Sequence, residues 1–353
     1  MPLFMDFHQF ETISIDAVKN AHTADVAVQD QYGVKYLQFW VNEAEGKVFC
    51  LVEGPDAATC EKVHQSAHGN IACALTEVDP IQYASLMGNN HVSEHGLVQQ
   101  KNGTPDLGYR TILIASAPTS LWARKLINEK VVAFNARELN WEQDDSAIGI
   151  FEDSNSAVQC ALEIRHALLV HSKSGEPDIL FRIGISASQP VTPKGDFFSN
   201  AISLAHRLCI AAPDNQILIS SLVKKLCKEG GSLETKDTIG SLNPSQEQFL
   251  TTLLSFSEAN LATQDFGVGE LCSSLCVSRP QLYRKIKEIT GRSPIDFIHD
   301  LRLFMALGML KGKRSTIAEI AFESGFNSPS YFTKCFTDKF GCTPSVYARQ
   351  TIA

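Results

Sequence analysis

The sequence predicts a multidomain chain, with an α+β unit at the front, an α/β unit in the middle and an all-α unit at the end. Three observations carry that reading. At 353 residues the chain is too long for one ordinary domain and suggests two or three. Its charge is unevenly divided: residues 1–240 hold 19 Lys/Arg against 29 Asp/Glu, whereas residues 241–353 hold 12 against 10. All twelve of those late basic residues fall between Arg279 and Arg349, against six acids, which suggests a polyanion-binding module joined to an acidic body. Finally, the C-terminal segment aligns with itself at an offset of 50 residues.

Composition narrows the class. At 44% hydrophobic and 20% charged residues, the chain reads as soluble and globular, neither disordered nor membrane-embedded. No apolar run approaches the roughly 18 residues of a spanning helix. The opening Met1-Pro2-Leu3-Phe4-Met5-Asp6-Phe7-His8 lacks a basic start, so no signal peptide is expected. Ten cysteines with no C-x-x-C pair read as reduced thiols in a cytoplasmic protein, not as a disulfide framework or a zinc ribbon.

Two polar stretches mark the joints. The expected units are 1–83, 109–228 and 245–350, joined by linkers 84–108 and 229–244; an N-cap is expected at Ser245. In the first unit Leu3–Phe10 is strand-like, and Ile15 through Tyr32 is helical with Ala17, Ala21, Ala24 and Val28 on one face. Val34–Val41 and Val48–Glu53 read as a hairpin, Ala57–His68 as a helix and Ile71–Val78 as a closing strand. The order βαββαβ is the ferredoxin-like pattern. His64 and His68, spaced i,i+4, put two imidazoles on one helix face. With His8, His22 and Asp25 they form a candidate site for a divalent metal, nickel or zinc, with copper also suited to imidazole. Because neutral imidazole is the ligand, affinity is expected to fall as pH drops through about 6.5.

This segment resembles a small family of ferredoxin-like domains, some linked to nickel binding. The matching residues are Asp6-Phe7-His8, Ala21-His22-x-Ala24-Asp25, Tyr32-Gly33-Val34-Lys35, Val48-Phe49-Cys50-Leu51-Val52 and His64-Gln65-Ser66-Ala67-His68-Gly69.

The second unit opens with the strand Arg110–Ala115. It continues with the amphipathic helix Ser156–Val170, the strand Phe181–Ile185, the block Asp196–Leu208 and the run Gln216–Ser220. These blocks resemble a class III nucleotidyl cyclase homology domain. The resemblance implies two metal-binding aspartates, but Ser116 stands at the first and only Asp145 matches the second. Ser203 replaces a transition-state Asn, Arg207 matches its partner Arg, and Asp196 matches a base-reading position. Asp145, Asp196 and Arg207 are therefore candidate nucleotide contacts, while two-metal catalysis is not expected. A scaffold for dimerisation or nucleotide holding is.

In the third unit, Leu282 falls on Phe332, Arg284 on Lys334, Ile286 on Phe336, Gly291 on Gly341 and Pro294 on Pro344. Cys276 falls on Gly325 one residue out of that register. Each copy reads as a short helix, a tight turn and a second helix beginning near Ser278 or Ser328, a helix-turn-helix made twice. Phe297, Ile298, Leu301, Phe304, Met305 and Met309 predict a connecting helix with one buried stripe. Leu282 and Ile286 face inward in the first copy, Phe332 and Phe336 in the second. Candidate DNA-binding residues are then Ser278, Arg279, Gln281, Tyr283, Arg284 and Lys287, with Ser328, Ser330, Tyr331 and Lys334.

Gly269-Glu270-Leu271, Thr290-Gly291-Arg292-Ser293-Pro294, Ile317 through Phe326, and Phe340-Gly341-Cys342-Thr343-Pro344 resemble the AraC/XylS transcription regulators. That resemblance implies two helix-turn-helix units entering successive major grooves of double-stranded DNA, with RNA polymerase as a partner; a homodimer is expected because both front segments resemble modules whose relatives commonly work as dimers. The expected protein is a one-component, sequence-specific transcription regulator controlled by its front domains, not an enzyme. Two alternatives are a nucleotidyl cyclase with a DNA-binding tail and a metal-buffering protein.

Overall fold

The computed structural model describes residues 1–88, 91–100, 102–139, 146–172, 179–192, 197–230, 238–263, 265–312 and 315–350. Its front unit runs β1 (Leu3–Gln9), α1 (Ile15–Val28), β2 (Lys35–Asn42), β3 (Lys47–Glu53), α2 (Ala57–Ala67) and β4 (Ala74–Val78). The strands form one antiparallel sheet in the order β2-β3-β1-β4. Ser14 and Asp56 start the two helices, each side chain accepting from the backbone N–H three residues on. The helix expected to reach Tyr32 stops at Val28. The chain then tightens into a 3₁₀ turn ended by Gly33 at φ 63°, a conformation glycine adopts without a Cβ clash. Alternation along β1 turns Phe4, Asp6 and His8 toward the helices and Met5 and Phe7 the other way.

The described residues of 84–108, expected to be a linker, are built into the fold. Within α3 (Pro80–Met87) and the hairpin β5 (His91–Val92) and β6 (Val98–Gln99), with the turn between its strands, Leu86, Met87, Leu97 and Val98 are buried. Six large apolar residues lie in this stretch; Val92 and Leu107 are exposed but the other four point inward, which average polarity conceals. Beside them Arg110, fully buried, donates to both carboxylate oxygens of Asp106 at 3.1 and 2.8 Å, and Trp40 Nε1 donates to the same group at 3.3 Å.

The middle unit contains β7 (Arg110–Ser116), α4 (Leu121–Ala133), β8 (Arg137–Glu138), β9 (Ser146–Phe151), α5 (Ser154–Ser172), β10 (Arg182–Ser188), α6 (Ser199–Ala211), β11 (Ile217–Ile219) and α7 (Ser221–Gly230). The stretch 229–244, also expected to link, supplies the edge strand β12 (Ile239–Ser241). The sheet order is β12-β11-β10-β7-β9-β8, with β10-β11 and β11-β12 parallel. Leu113, Ala115, Ile183 and Ile185 pack one face against α4, α5 and α7. On the other face, Ile112, Ile114, Ile148 and Ile150 share a core with α6 and with Met5, Phe7, Trp40 and Phe49 of the front sheet. The front unit therefore lends its open sheet face to the middle unit.

Helix α6 lies directly on β10 at Gly184, where a Cβ would meet Ala205 O at 2.2 Å and Cys209 N at 2.3 Å. Both are backbone atoms, so a side chain cannot be accommodated by a rotamer change. Gly184→Ala should lower stability by about 1–3 kcal/mol, measured by chemical denaturation. An unchanged midpoint would contradict this packing.

The last unit contains α8 (Pro244–Asn260), α9 (Val268–Ser274), α10 (Arg279–Thr290), α11 (Pro294–Lys311), α12 (Ile317–Glu323), α13 (Pro329–Phe340) and α14 (Pro344–Gln350). The cap of α8 is Asn243, not Ser245: its side chain accepts from Gln246 N and Gln246 returns the bond, while Pro244 takes the first helical position with its preset φ. The repeat holds in backbone detail. Ser278 and Ser328 cap α10 and α13, and Gly291 and Gly341 end them at φ 71°. The turns before them use Cys276 at φ 51° and Gly325 at φ 84°. Connecting helix α11 buries more than the expected stripe, because it is gripped from two sides. Phe297, Ile298 and Leu301 join the first core, and Leu303, Ala306, Leu307 and Leu310 join the second. Among the described residues no helix is long and apolar enough to cross a membrane.

Candidate functional site

Five polar side chains converge between β1, α1 and α2. Asp6 Oδ1 accepts from Cys50 N at 2.7 Å, which fixes the carboxylate and turns Oδ2 to His64 Nε2 at 2.8 Å and His8 Nε2 at 3.6 Å. On the other side of the same imidazole, His64 Nδ1 is 3.1 Å from Asp25 Oδ1, and His68 Nε2 is 3.2 Å from that oxygen. The donor atoms form two triads, Asp6–His8–His64 and Asp25–His64–His68, each spanning no more than 4.8 Å. A cavity of about 110 Å³ adjoins them.

Asp6 was not among the residues the sequence nominated. The signal was present, since Asp6 and His8 are i,i+2 polar residues among the apolar Leu3, Phe4, Met5 and Phe7 of one strand, and both therefore face the same side. His22 belongs to neither triad. It lies against Phe39 with ring centroids 5.0 Å apart, and a Cβ on the overlying Gly96 would sit 2.5 Å from its Nε2.

Burial works against a charge on His64, but hydrogen bonds to Asp25 and Asp6 outweigh it and push the imidazole up to about 10. Burial likewise works against both carboxylates, yet the neighbouring histidines hold Asp6 and Asp25 below the usual carboxylate range. Two carboxylates and three imidazoles thus meet in one largely buried cluster. Among the described residues, His8 Nδ1 and His22 Nδ1 are buried with no hydrogen-bond partner, a rare and costly condition. Imidazoles and carboxylates at this spacing form a donor set that fits a borderline divalent cation.

The second site is the exposed side of α10 and α13. Leu282 and Ile286 are fully buried, as are Phe332 and Phe336, which sets the rotation of both helices. Arg279, Gln281, Tyr283, Arg284 and Lys287 are consequently exposed on the first, and Ser330, Tyr331 and Lys334 on the second. Three nominated residues also do structural work. Ser278 and Ser328 cap their helices, and Gln281 Oε1 accepts from Ser278 N at 2.9 Å.

Among the nucleotide candidates, Asp145 and Asp196 lie outside the described residues. Arg207 on α6 donates to Ser255 on α8 at 2.9 Å, a bond from the middle unit to the last one. Ser116 ends β7 opposite Ser146 and Arg182.

A further cluster had no sequence signal. Asp300 on α11 accepts from Arg182 and Arg292 at 2.7 Å each and from Lys339 at 3.1 Å. Arg182 also pairs with Asp214 at 2.7 Å, and Arg292 donates to the terminal carbonyls of α6 at Ala211 and Ala212.

Residues 271–350 match a helix-turn-helix domain family, and residues 4–78 match the family described as nickel responsive protein SCO4226-like. The C-terminal unit is thus an AraC-type helix-turn-helix domain. The chain is 40% identical over 110 residues to "Histidine kinase P4" of Formosa agariphila, covering 31% of this chain and 8% of that protein. It is 32% identical over 126 residues to "HTH-type transcriptional regulator ArgR" of Pseudomonas aeruginosa, covering 35% of this chain and 37% of that one. The chain thus spans well under half the length of these curated relatives. The crystal structure of SCO4226 from Streptomyces coelicolor aligns at 39% identity over 22% of this chain and 94% of that one, with a TM-score of 0.21.

Proposed function

We propose that this chain is a cytoplasmic transcription regulator that binds double-stranded DNA through α10 and α13 and is controlled by a divalent metal in its front unit. The carrying observation is the pair of serine-capped helices in repeated backbone settings, each with its apolar side buried and its polar side exposed, with Arg279, Arg284 and Lys287 on α10 and Lys334 on α13. Exposed Arg284 and Lys334 occupy equivalent positions of the repeat, and a helix-turn-helix lays this surface in the major groove. Replacing either with alanine should weaken operator binding in titrations at moderate salt. If it reads a base, it should also relax preference at one position by about 1–3 kcal/mol. Equal affinity for wild type and both variants would reject the face.

Nickel is the metal the domain match favours, with zinc suited to the same donors. Asp6, His8, Asp25, His64 and His68 would hold it; bound there, it supplies a positive charge that replaces the proton of His64. The protein's contribution is orientation: Cys50 N fixes Asp6, and the two carboxylates fix the ring of His64 from both sides. His22, nominated from sequence, is left out of this donor set. A regulator must couple metal and DNA, so the metal has to favour one conformation over another.

The middle unit serves as a scaffold in this reading and not as a cyclase. Ser116 and Ser203 stand where the resembled enzymes carry a metal-binding Asp and an Asn, and Arg207 is bonded to Ser255. Homodimerisation and contact with RNA polymerase complete the proposal, by likeness to regulators of this class.

A further inference from the structure

A cavity of about 400 Å³ lies where the middle unit meets the DNA-binding unit. Its floor is the end of the central sheet, at Ser116 and Ser146, and its walls are Phe181, Ile210, Leu261 and Phe304. Connecting helix α11 closes one side with Phe304, Gly308 and Lys311. We infer that this cavity binds a small, mainly apolar molecule of no net charge with one hydrogen-bonding head, and that its occupancy shifts the geometry of the two helix-turn-helix units.

Gly308 is the first argument. Glycine inside a helix is destabilising relative to alanine and usually reflects a close approach. At Gly308 nothing lies within 4 Å of the position a Cβ would occupy. Gly308 is exposed, so the space it leaves forms the solvent-side mouth of the cavity, which a side chain there would cover. The second argument is the lining. Domain interfaces hold ligand sites that are mostly apolar with a few polar groups, and 400 Å³ is within the usual range for a small molecule. Lys311 and Glu258 bring opposite charges, His206 adds an imidazole able to hydrogen-bond a polar head, and Arg182 is already paired with Asp214 and Asp300. A lining balanced in this way suits a hydroxyl or amide head over an ion.

The third argument is connection. The guanidinium of Arg182 lies 4.7 Å from the centroid of the Phe304 ring, so one wall of the cavity rests on the ion cluster that joins Asp214, Asp300, Arg292 and Lys339. Helix α11 separates the two DNA-reading units, and a ligand against Phe304 and Gly308 bears on that helix directly. The coupling part of this inference rests on the proposed DNA-binding function.

The test uses the full chain and octan-1-ol, with octanoate and octylammonium as charged counterparts. Calorimetry should show saturable one-to-one binding of octan-1-ol that is tighter than either ion. Binding should vanish in Gly308→Leu, which fills the space from α11, and in Ser116→Leu, which fills it from the sheet. Thermal melts identify any variant that fails to fold, and the other then decides. Octan-1-ol should change operator affinity by about fivefold or more in wild type and not in the variants. Absence of saturable binding, binding that survives a folded filled variant, or preference for an ion overturns the site. Binding that leaves operator affinity unchanged overturns the coupling. A chain that binds no operator in any state refutes the regulator reading, while the calorimetry still judges the cavity.

Discussion

Asp300→Ala should be among the most damaging single substitutions in this chain, costing about 3 kcal/mol or more in chemical denaturation. Asp300 is 7% exposed and receives three cationic donors from three places: Arg182 on β10, Arg292 before α11, and Lys339 on α13. Removing it leaves Arg182, itself 2% exposed, with Asp214 as its one remaining anion and with the carbonyl of Ile210. Arg292 retains the carbonyls of α6, which places the expected loss toward the lower end of the range for a broken buried pair. Burial works against the Asp300 carboxylate, but Arg182, Lys339 and Arg292 hold it below the usual carboxylate range. Its stabilisation is therefore complete above the unfolded value and disappears as pH falls through the folded one. A loss under 1 kcal/mol would mean that the cluster does not join the two units.

Nickel affinity should rise by about tenfold for each pH unit between pH 7 and 8.5, because each bound ion displaces one proton from His64. An isolated histidine would give a plateau above about pH 7, and the expectation drawn from sequence alone placed the change near 6.5. Asp6 and Asp25 move it upward by holding the imidazolium between two ionised carboxylates, to about 10. The sign for the metal-free fold is consistent: His64 adds stability below its unfolded value, and that stability is lost as pH rises through about 10. Calorimetry across the pH series measures this directly. His64→Ala should remove both the affinity and its slope, since His64 belongs to both triads.

The sequence was most informative where chemistry repeats along it. The second copy of the C-terminal unit reproduces Ser278, Gly291 and Pro294 as Ser328, Gly341 and Pro344, and local capping rules then place both helices. The His64 and His68 pair was legible because one helical turn joins them. Asp6 was missed because its partners, His64 and Cys50, come from other elements 58 and 44 residues away. The Arg182–Asp300 pair is separated by 118 residues, and no periodicity reports such a contact. The expected linkers failed for a related reason: Leu86, Met87 and Val98 are too few to raise local hydropathy, yet each is fully buried.

Hydroxyl-radical footprinting of the full chain on a selected operator tests the central claim most directly. Two recognition helices held on one connecting helix should protect two short tracts about 10–10.5 base pairs apart per protomer, on one face of the duplex. Arg284→Ala should thin one tract and Lys334→Ala the other. A single protected tract, or protection unchanged by both substitutions, would contradict a chain that reads DNA with both halves of its repeat.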